Sequence, residues 1–352
     1  MEYQATPFEL GYKMPAEWEK HLATWVSWPK NKESFPPELL PAVQDAFAEI
    51  ISVLSAGEKV NVLVDDEKTE RLARDKLPKS SFDGNIIFHR ITTQDVWFRD
   101  YGPIFIRKKG HGNAEVALTK WKFNAWGNKY EDLKMDDQVA LKLPTGNIKK
   151  FTAPIVLEGG SIDVNGTGLG ITTTQCMLNR NRNPGLSQGA ITQYLTDYLG
   201  IEKLIWLGSG IAGDDTDGHV DDIARFLSEN TIACAIEDNK NDENYPALSK
   251  NNKLLKNQID QIGEKLNVIE IPMPSPVIYN GSRLPASYLN FYIANKAVLV
   301  PTFNDKNDEK AIEIIQDTLP GREAIGINCR ELVYGFGAIH CATQQQPDPL
   351  GW

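Results

Sequence analysis

The sequence predicts an α/β fold in which repeated ββαβ units form a five-bladed, pseudo-symmetric α/β propeller around a central site. Turns recur at a nearly constant spacing, at Asn165-Gly166, Glu229-Asn230 and Ala294-Asn295. The same order of elements, namely strand, turn, strand, helix and strand, surrounds each turn. A fixed period with one element order indicates repeated supersecondary units that share a core. Closed rings of β-rich blades gather equivalent strand positions at a central channel.

Three complete units are predicted. In the first we expect strands at 161–164, 168–173 and 203–207 and a helix at 187–198. In the second we expect strands at 219–227, 231–236 and 267–271 and a helix at 254–266. The third has strands at 287–293, 297–301 and 323–327 and a helix at 308–318. Short apolar strands alternating with helical patterns are typical of such units.

The remaining segments fit the same template more loosely. A helix is predicted at 39–54 and strands at 60–64, 85–91, 103–107 and 115–121, the last two joined by a turn at 110–113. A fifth unit would be made from both ends of the chain and would close the ring near Trp25 and Trp28. Residues 124–150 lack periodicity and are predicted to be a long loop that acts as a lid. Residues 1–352 form a single domain in this interpretation.

Composition limits the classes of function. The net charge of −10 argues against a nucleic-acid-binding surface and favours a cationic substrate. Four cysteines without a C-x-x-C pair indicate neither a zinc knuckle nor a disulfide framework. Residues 1–13 do not resemble a secretory leader, and the most apolar window, 288–303, is shorter than the roughly 20 residues of a membrane span. We expect a soluble cytoplasmic protein without a membrane or nucleic-acid partner, and a homo-oligomer is compatible with the sequence.

Titratable residues stand before the predicted turns, where interior strands normally avoid them. These residues are Asp100, Glu158, His219 and Asp221. Equivalent positions in successive blades converge, so the ring predicts that they face one cavity together with Cys341. Each has a simpler alternative: Asp100 could form a surface ion pair with its neighbours, Glu158 could lead a turn, and His219 could cap a strand.

Cys341 follows a glycine-rich stretch, Gly335-Phe336-Gly337, where the backbone can approach a ligand closely. It is a candidate nucleophile, provided that His219 or His340 folds beside it. The alternative is a buried, unreactive core residue, because free cysteines are among the most buried residue types.

Five motifs together resemble the agmatine deiminase and bacterial peptidylarginine deiminase family. They are W-x-R-D-x-G-P at 97–103, L-E-G-G-S-I at 157–162, G-H-x-D-x-x-A-R-F at 218–226, P-A-S-Y-x-N-F-Y-I-A-N at 285–295 and I-H-C-x-T-Q-Q at 339–345. The segments 14–19 and 123–127 are similar to this family as well. The motifs occur in the family's order over nearly the whole chain. The resemblance implies the five-bladed propeller of guanidino-group-modifying enzymes, the pentein fold, and an activity in polyamine metabolism.

The resemblance also implies roles for individual residues. Cys341 would attack the guanidinium carbon, and His219 would act as general acid and base. Asp100 and Asp221 would hold the guanidinium nitrogens, and Glu158 would be a further acidic partner of His219 or substrate. Candidates for binding the substrate tail are Trp97, Trp126 and Asp215. Because the reacting groups are all side chains, no metal or cofactor is expected.

Three functions follow from these residues. The first is hydrolysis of agmatine to N-carbamoylputrescine and ammonia, and the second is deimination of arginine residues in peptides. The third, of another class, is a non-catalytic protein that binds guanidino compounds or polyamines. Phe336 and Ala338 stand where relatives usually have glycine and asparagine, so the substrate tail preferred by this chain could differ from theirs.

Overall fold

The computed structural model of the protein describes residues 5–78, 84–110 and 114–350. Strands β1 to β6 are His21–Ser27, Lys59–Val64, Ile86–Arg90, Ile104–Lys108, Glu115–Lys122 and Lys149–Val156. Strands β7 to β12 are Ile162–Val164, Leu169–Thr173, Lys203–Leu207, Ala224–Phe226, Thr231–Ile236 and Asn267–Pro272. Strands β13 to β18 are Ile278–Tyr279, Ser282–Arg283, Tyr292–Ile293, Ala297–Thr302, Glu323–Asn328 and Gln344–Pro347.

Among the described residues, fewer lie in α-helices than in strands. Helices α1 to α5 are Leu40–Ser55, Glu67–Lys76, Phe98–Tyr101, Ala125–Asn128 and Val139–Lys142. Helices α6 to α10 are Thr174–Met177, Gln188–Leu199, Tyr245–Leu255, Asp308–Thr318 and Ile339–Ala342. Turns of 3-10 helix occupy Asp132–Gln138, Gly159–Ser161, Val220–Asp222 and Leu332–Gly335. No helix in the described part of the chain is both long and apolar enough to cross a membrane.

One sheet topology occurs five times among the described residues. Each sheet has an antiparallel pair of strands followed by a strand that pairs in parallel, and the orders are β4-β5-β6, β7-β8-β9, β10-β11-β12, β15-β16-β17 and β18-β1-β2-β3. The separate pair β13-β14 is a hairpin. None of these sheets closes on itself. The repeated topology agrees with the repeated units predicted from the sequence.

The two ends of the chain meet in one sheet. Strand β1 pairs antiparallel with β18, with Thr24 opposite Gln345 and Trp25 opposite Gln344. The other edge of β1 pairs in parallel with β2. This sheet is therefore the unit that the sequence predicted to be assembled from both ends.

The first predicted unit and, apart from its first strand, the third predicted unit are close to the observed elements. Helix α7 shows why its prediction was accurate. The Ser187 side chain accepts a hydrogen bond from the backbone N–H of Ala190, and Gly200 ends the helix in a left-handed conformation with φ of 72°. Ile191, Leu195 and Leu199 form its buried face, at the spacing of one helix stripe.

The helix predicted at 254–266 is wrong, because the structure places this helix at Tyr245–Leu255. Pro246 lies in its first turn, where proline is favoured, and Leu248 and Leu255 are buried. The apolar residue that extended the predicted pattern, Ile262, is 77% exposed.

The strands predicted at 219–227 and 287–293 are also too long. Only Ala224–Phe226 and Tyr292–Ile293 are strands. The residues before β10 form the 3-10 turn Val220–Asp222 and direct polar side chains into the functional site. The strand pattern was therefore interrupted by residues that serve the site.

The predicted loop at 124–150 is corrected as well. It contains α4, α5 and the 3-10 helix Asp132–Gln138, and β6 begins at Lys149. The Asp136 carboxylate ties this segment to the neighbouring loop by accepting hydrogen bonds from the backbone N–H groups of Gln94 and Asp95, at 2.6 and 3.0 Å. Of the turn predicted at 110–113, residues 111–113 lie outside the described residues.

Candidate active site

Four short turns bring the candidate residues together. Asp100 lies on α3, Glu158 precedes the 3-10 turn Gly159–Ser161, and Cys341 lies on α10. His219 and Asp221 lie at the start of the 3-10 turn Val220–Asp222. All five side chains are buried, with at most 4% of their surface exposed. Such buried polar groups need partners in the protein or in a ligand.

The Cys341 thiol has two polar neighbours. Its Sγ atom accepts a hydrogen bond from the Asn290 side-chain amide at 3.1 Å and donates to Oδ2 of Asp221 at 3.5 Å. Asn290 also accepts the backbone N–H of Cys341 at 3.2 Å through Oδ1. One amide therefore fixes both the backbone and the sulfur of Cys341.

Asp221 is held on its other side by His340. Nδ1 of His340 donates to Oδ2 of Asp221 at 2.7 Å, and Nε2 donates to Oε2 of Glu17 at 2.9 Å. The sequence had offered His340 as an alternative base beside the thiol. In the structure both of its ring nitrogens contact carboxylates, so that role is corrected.

His219 lies between Asp100 and Glu158. Nδ1 of His219 is 3.8 Å from Oδ1 of Asp100, and Nε2 is 3.9 Å from Oε2 of Glu158. The Trp126 indole donates to Oδ2 of Asp100 at 2.9 Å. Arg182 donates to Oε1 of Glu158 at 2.7 Å, so only one carboxylate oxygen of Glu158 faces the histidine.

Gly160 allows these groups to converge. A β-carbon at this position would lie 2.6 Å from Nδ1 of His219, 2.9 Å from Oδ2 of Asp221 and 3.0 Å from Oδ1 of Asp100. The Gly160 N–H donates to Oδ1 of Asp100 at 3.0 Å. The second glycine of the pair seen in the sequence is thus explained by close approach of the backbone to three site residues.

Unpartnered polar atoms are concentrated at this site. Seven buried side-chain atoms of the described residues have no hydrogen-bond partner, and four of them belong to three site residues: Oε2 of Glu158, Oδ1 of Asp221 and both ring nitrogens of His219. Most buried polar atoms in proteins are satisfied. The unpaired carboxylate oxygens are acceptors that suit a ligand with several N–H donors.

The charges around the thiol work against its ionisation in the free protein. Burial, followed by the charges of Asp221, Asp222 and Asp100, raises the pKa of Cys341 well above its ordinary value. A cation bound among these carboxylates would oppose this effect, because a nearby positive charge favours the thiolate. The arrangement therefore couples thiolate formation to binding of a cation.

His219 is held in its protonated form. Burial lowers its pKa, but the Asp100 charge and the neighbouring Cys176 and Glu158 outweigh burial and raise the pKa well above its ordinary value. Burial raises the pKa of Glu158, whereas Arg182 and His219 outweigh it, so the pKa is lowered overall. His219 can therefore donate a proton to a ligand bound between Asp100 and Glu158.

The ligand atoms of Glu158, Cys176 and His219 lie within 4.8 Å of one another, a spacing that a metal ion could use. However, Glu158 already accepts from the Arg182 guanidinium, and the raised pKa of His219 favours a proton on its ring. A histidine that binds a metal must be a neutral imidazole. These three residues are better suited to proton transfer than to metal binding.

A cavity of about 960 Å³ opens from Cys341 and Asp100 to the surface. Its charged lining is mostly acidic: Glu33, Asp95, Asp100, Glu131, Asp132 and Asp215, with Lys129 as the basic residue among the described lining residues. Six aromatic residues also line it, namely Trp97, Trp126, Tyr130, Tyr279, Tyr334 and Phe336. This combination suits an elongated cation with an apolar middle.

The three candidate tail residues all line this cavity. Trp97 packs between Phe35, at a centroid distance of 6.2 Å, and the glycines that flank Phe336. Trp126 is anchored on Asp100. Asp215 accepts from the Tyr130 hydroxyl and lies 3.4 Å from the Lys129 ammonium, so its charge is already partly neutralised.

Two further positions border the nucleophile. Phe336 lines the cavity in a left-handed conformation, with φ of 68° and ψ of 22°, and is 38% exposed. Ala338 is buried at the start of α10. Phe336 therefore faces the space where a substrate tail would lie, whereas Ala338 does not line it.

Sequence reasoning missed several residues of this site. Asn290 lies within the quoted 285–295 motif, so its polar side chain in an apolar stretch was a usable signal. Glu17 lies in the segment 14–19, which also resembles the family, but it had no assigned role. Arg182 and Cys176 gave no recognisable pattern, and only the fold brings them to Glu158 and His219.

Comparison with known proteins shows the family to which the chain belongs. The model of the Porphyromonas-type peptidyl-arginine deiminase family matches residues 13–347. Agmatine deiminase of Ectopseudomonas mendocina is 39% identical over 370 aligned residues, covering 98% of each chain.

Solved structures agree as well. A structure of agmatine deiminase of Enterococcus faecalis, catalysing its reaction, is 34% identical with a TM-score of 0.91 and covers 98% of each chain. A cysteine-to-serine variant of the C. jejuni agmatine deiminase with substrate bound is 33% identical with a TM-score of 0.86, covering 96% of this chain and 97% of that one. Together with the family model, this similarity shows that the chain belongs to the agmatine deiminase and Porphyromonas-type peptidyl-arginine deiminase family.

Proposed function

We propose that the protein hydrolyses agmatine to N-carbamoylputrescine and ammonia. The observation that carries this proposal is the set of unpartnered buried atoms of Glu158, His219 and Asp221 around the Cys341 thiol. A guanidinium is planar, permanently charged and offers five N–H donors in a rigid fork. Its charge and its N–H donors complement the unpaired carboxylate oxygens of Glu158 and Asp221.

Asp100 and Asp221 bind the guanidinium in this proposal. Oδ2 of Asp221 is occupied by His340 and Cys341, so Oδ1 is free to accept from the substrate. Asp100 is fixed by Trp126 and the Gly160 N–H. Charge-assisted hydrogen bonds of this kind orient the substrate carbon towards the sulfur.

The first half of the reaction forms a covalent intermediate. The substrate cation offsets the carboxylate charges that suppress ionisation of Cys341, so the thiol releases its proton to solvent. The thiolate adds to the guanidinium carbon to form a C–S bond. His219 donates its proton to an unsubstituted nitrogen. The C–N bond then breaks, ammonia leaves, and an S-alkylthiouronium remains on Cys341.

The second half consumes water. The neutral His219 accepts a proton from water, and the hydroxide adds to the thiouronium carbon. The C–S bond breaks, the sulfur leaves as the thiolate, and the hydroxyl proton of the intermediate passes to solvent, which gives the neutral ureido product. Glu158, held by Arg182, supports the charged form of His219 in both halves.

The cavity lining favours agmatine over the rival substrate, an arginine residue of a peptide. The terminal ammonium of agmatine is compatible with a lining of six acidic residues and one lysine. A peptide with a terminal arginine would bring a carboxylate, for which the described lining offers only Lys129, already paired with Asp215 and Asp217 at 3.4 and 3.1 Å. We propose that Trp97, Trp126 and Asp215 contact the tail.

A substrate panel tests the function. Purified protein should release ammonia and N-carbamoylputrescine from agmatine, and much more slowly release ammonia from arginine and arginyl peptides. Release from arginyl peptides but not from agmatine would make the rival correct.

A Cys341→Ser variant separates catalysis from binding alone. It should lose turnover, by about 10⁴-fold or more, and still bind agmatine by calorimetry. Unchanged turnover in this variant would reject the thiol mechanism. Agmatine binding without turnover in the unmodified protein would instead favour a non-catalytic guanidino-binding protein.

We also propose that residues 1–352 form one catalytic domain with the five sheets as blades of a pentein ring. The repeated sheet topology and the β1–β18 pairing support this arrangement. The four free cysteines support a cytoplasmic location.

A further inference from the structure

We propose that His340, held as an imidazolium by Glu17, is a positioning residue that fixes Asp221 for the thiol and for the substrate. The kinetic test of this inference rests on the proposed function, because it measures agmatine turnover. The role of His340 is distinct from those of Cys341 and His219, because its two ring nitrogens contact Asp221 and Glu17.

The hydrogen bonds of His340 define its charge. Each ring nitrogen lies against a carboxylate oxygen, at 2.7 Å from Asp221 and 2.9 Å from Glu17. An ionised carboxylate only accepts hydrogen bonds. Glu17 is also paired with the Arg225 guanidinium through Oε1, as expected of an ionised carboxylate. Both ring nitrogens therefore donate, and the ring carries a positive charge.

Glu17 is a rigid anchor for this ring. Its Oε1 accepts from Arg225 at 2.8 Å and from the backbone N–H of Ile293 at 2.8 Å, and its Oε2 lies 3.4 Å from Arg99. All of these groups are buried. The side chain cannot rotate without breaking several charge-assisted bonds, so His340 is oriented from a segment remote from it in the sequence.

The contact with His340 determines which oxygen of Asp221 is free. His340 and the Cys341 thiol both use Oδ2, which leaves Oδ1 as the one unpartnered oxygen. The imidazolium also compensates part of the negative charge beside the sulfur. His340 thereby determines which oxygen is presented to the guanidinium and limits how strongly Asp221 suppresses the thiolate.

The charged groups around Asp221 and His340 come from every neighbouring element. Asp221 is faced by the cations His340, His219, Arg225 and Arg99 and by the anions Asp100 and Asp222. His340 is faced by Glu17, Asp221 and Asp163. Without the positive charge on His340, fewer positive charges stabilise the ionised form of Asp221. Its carboxyl group would then protonate at a higher pH than in the unmodified protein, and the thiolate of Cys341 would form at a higher pH.

Two variants test the role of the charge. His340→Gln removes the charge and one of the two contacts. Glu17→Gln replaces the anchor by an amide that can donate to Nε2, so the ring can be neutral while its hydrogen bonds remain. His89→Gln is the matched control, since His89 bonds Asn61 far from the site.

The first readout is the pH profile of kcat/KM for agmatine. Both variants should lose about tenfold to hundredfold at neutral pH. Their acid limbs should move to higher pH, so that activity approaches that of the unmodified protein as the pH rises through the displaced limb. A uniform loss at every pH, or a profile like that of the unmodified protein, would overturn the inference. The His89→Gln profile should not change.

The second readout does not need turnover. The rate of Cys341 alkylation by iodoacetamide follows the thiolate fraction, and its pH dependence should move to higher pH in both variants. An unmoved alkylation profile would contradict the role of His340. Absence of agmatine turnover in the unmodified protein would contradict the proposed function instead, so the two failures can be distinguished.

Discussion

The side-chain amide of Asn290 bridges the backbone and the sulfur of Cys341: Oδ1 accepts the Cys341 N–H at 3.2 Å, and Nδ2 donates to Sγ at 3.1 Å. A second bond from Nδ2 to Oδ1 of Asp222 at 3.0 Å fixes the amide orientation. The donor therefore points at the sulfur before any substrate arrives. Such a donor stabilises a thiolate more than a thiol.

Replacement of Asn290 by alanine should reduce kcat/KM by about tenfold to hundredfold, because one charge-assisted hydrogen bond to the sulfur is lost. The rate of Cys341 alkylation should fall in parallel. Asn267→Ala, at an exposed position, is the control and should retain activity. Activity within about twofold of the unmodified protein would show that Asn290 serves only packing.

Gly160→Ala should abolish activity. The added methyl group would lie 2.6 to 3.0 Å from His219, Asp221 and Asp100, which is closer than real β-carbons approach other atoms. Displacement of these groups by about 1 Å is expected to cost at least hundredfold in kcat. Gly189→Ala, whose β-carbon would meet no atom closer than 4.0 Å, should be active. An active Gly160→Ala variant would mean that the three side chains do not act in the observed geometry.

Stability should fall as pH rises from about 4 to 7 because of Asp136. Burial, opposed by hydrogen bonds from Gln94 and Asp95, raises its pKa to about 7. A carboxyl group with a raised folded-state pKa stabilises the fold fully below its unfolded-state pKa, and this contribution is lost as pH rises through the folded-state pKa. The loss therefore falls between about pH 4 and 7.

The measurement is the melting temperature at acidic and neutral pH for the unmodified protein and for Asp136→Asn, which cannot ionise. The melting temperature of Asp136→Asn should decrease less between about pH 4 and 7 than that of the unmodified protein. Equal decreases in both proteins would assign the effect to other groups, of which Asp95, with its pKa raised by burial to about 6, is the first to consider.

Phe336 should determine the preference for the substrate tail. A non-glycine residue in the left-handed region costs about 1–2 kcal/mol, yet Phe336 adopts it and presents its ring to the cavity. Removing the ring should raise KM for agmatine by about 3- to 30-fold, the range of a cation–π contact, with little change in kcat. The ratio of kcat/KM values for agmatine and arginine amide should fall.

Phe336→Gly and Phe336→Ala form a matched pair, because both lose the ring and only glycine relieves the backbone. Both should lose selectivity equally, while the glycine variant should melt about 1 to 4 °C higher than the alanine variant. Unchanged selectivity in both variants would remove Phe336 from substrate recognition.

Local patterns were enough to predict much of this fold. Helices α7 and α9 and the strands β8, β9, β11 and β16 lie within one residue of their predicted positions, since each combines a clear apolar period with turn residues at its ends. The helix predicted at 254–266 failed because exposed Ile262 continued the apolar pattern beyond the true end of α8.

The site was only partly predictable for a different reason. Asp100, Glu158, His219, Asp221 and Cys341 could be identified because each stands in a short motif. The contacts of their partners could not be predicted: Glu17 meets His340, and Asn290 meets Cys341, only after the chain has folded. No local spacing encodes contacts between segments so far apart, and they depend on the β1–β18 pairing and the sheet order.

The pairing of β1 with β18 also determines when the site can form during synthesis of the chain. As a chain is synthesised from its amino end, domains fold as their segments emerge, and Asp100, Glu158, His219 and Asp221 leave the ribosome well before Cys341. Strand β18 follows the nucleophile directly, and it must join a strand made at the start of synthesis. The complete site can therefore form only after β18 has been made, and reactivity emerges only then.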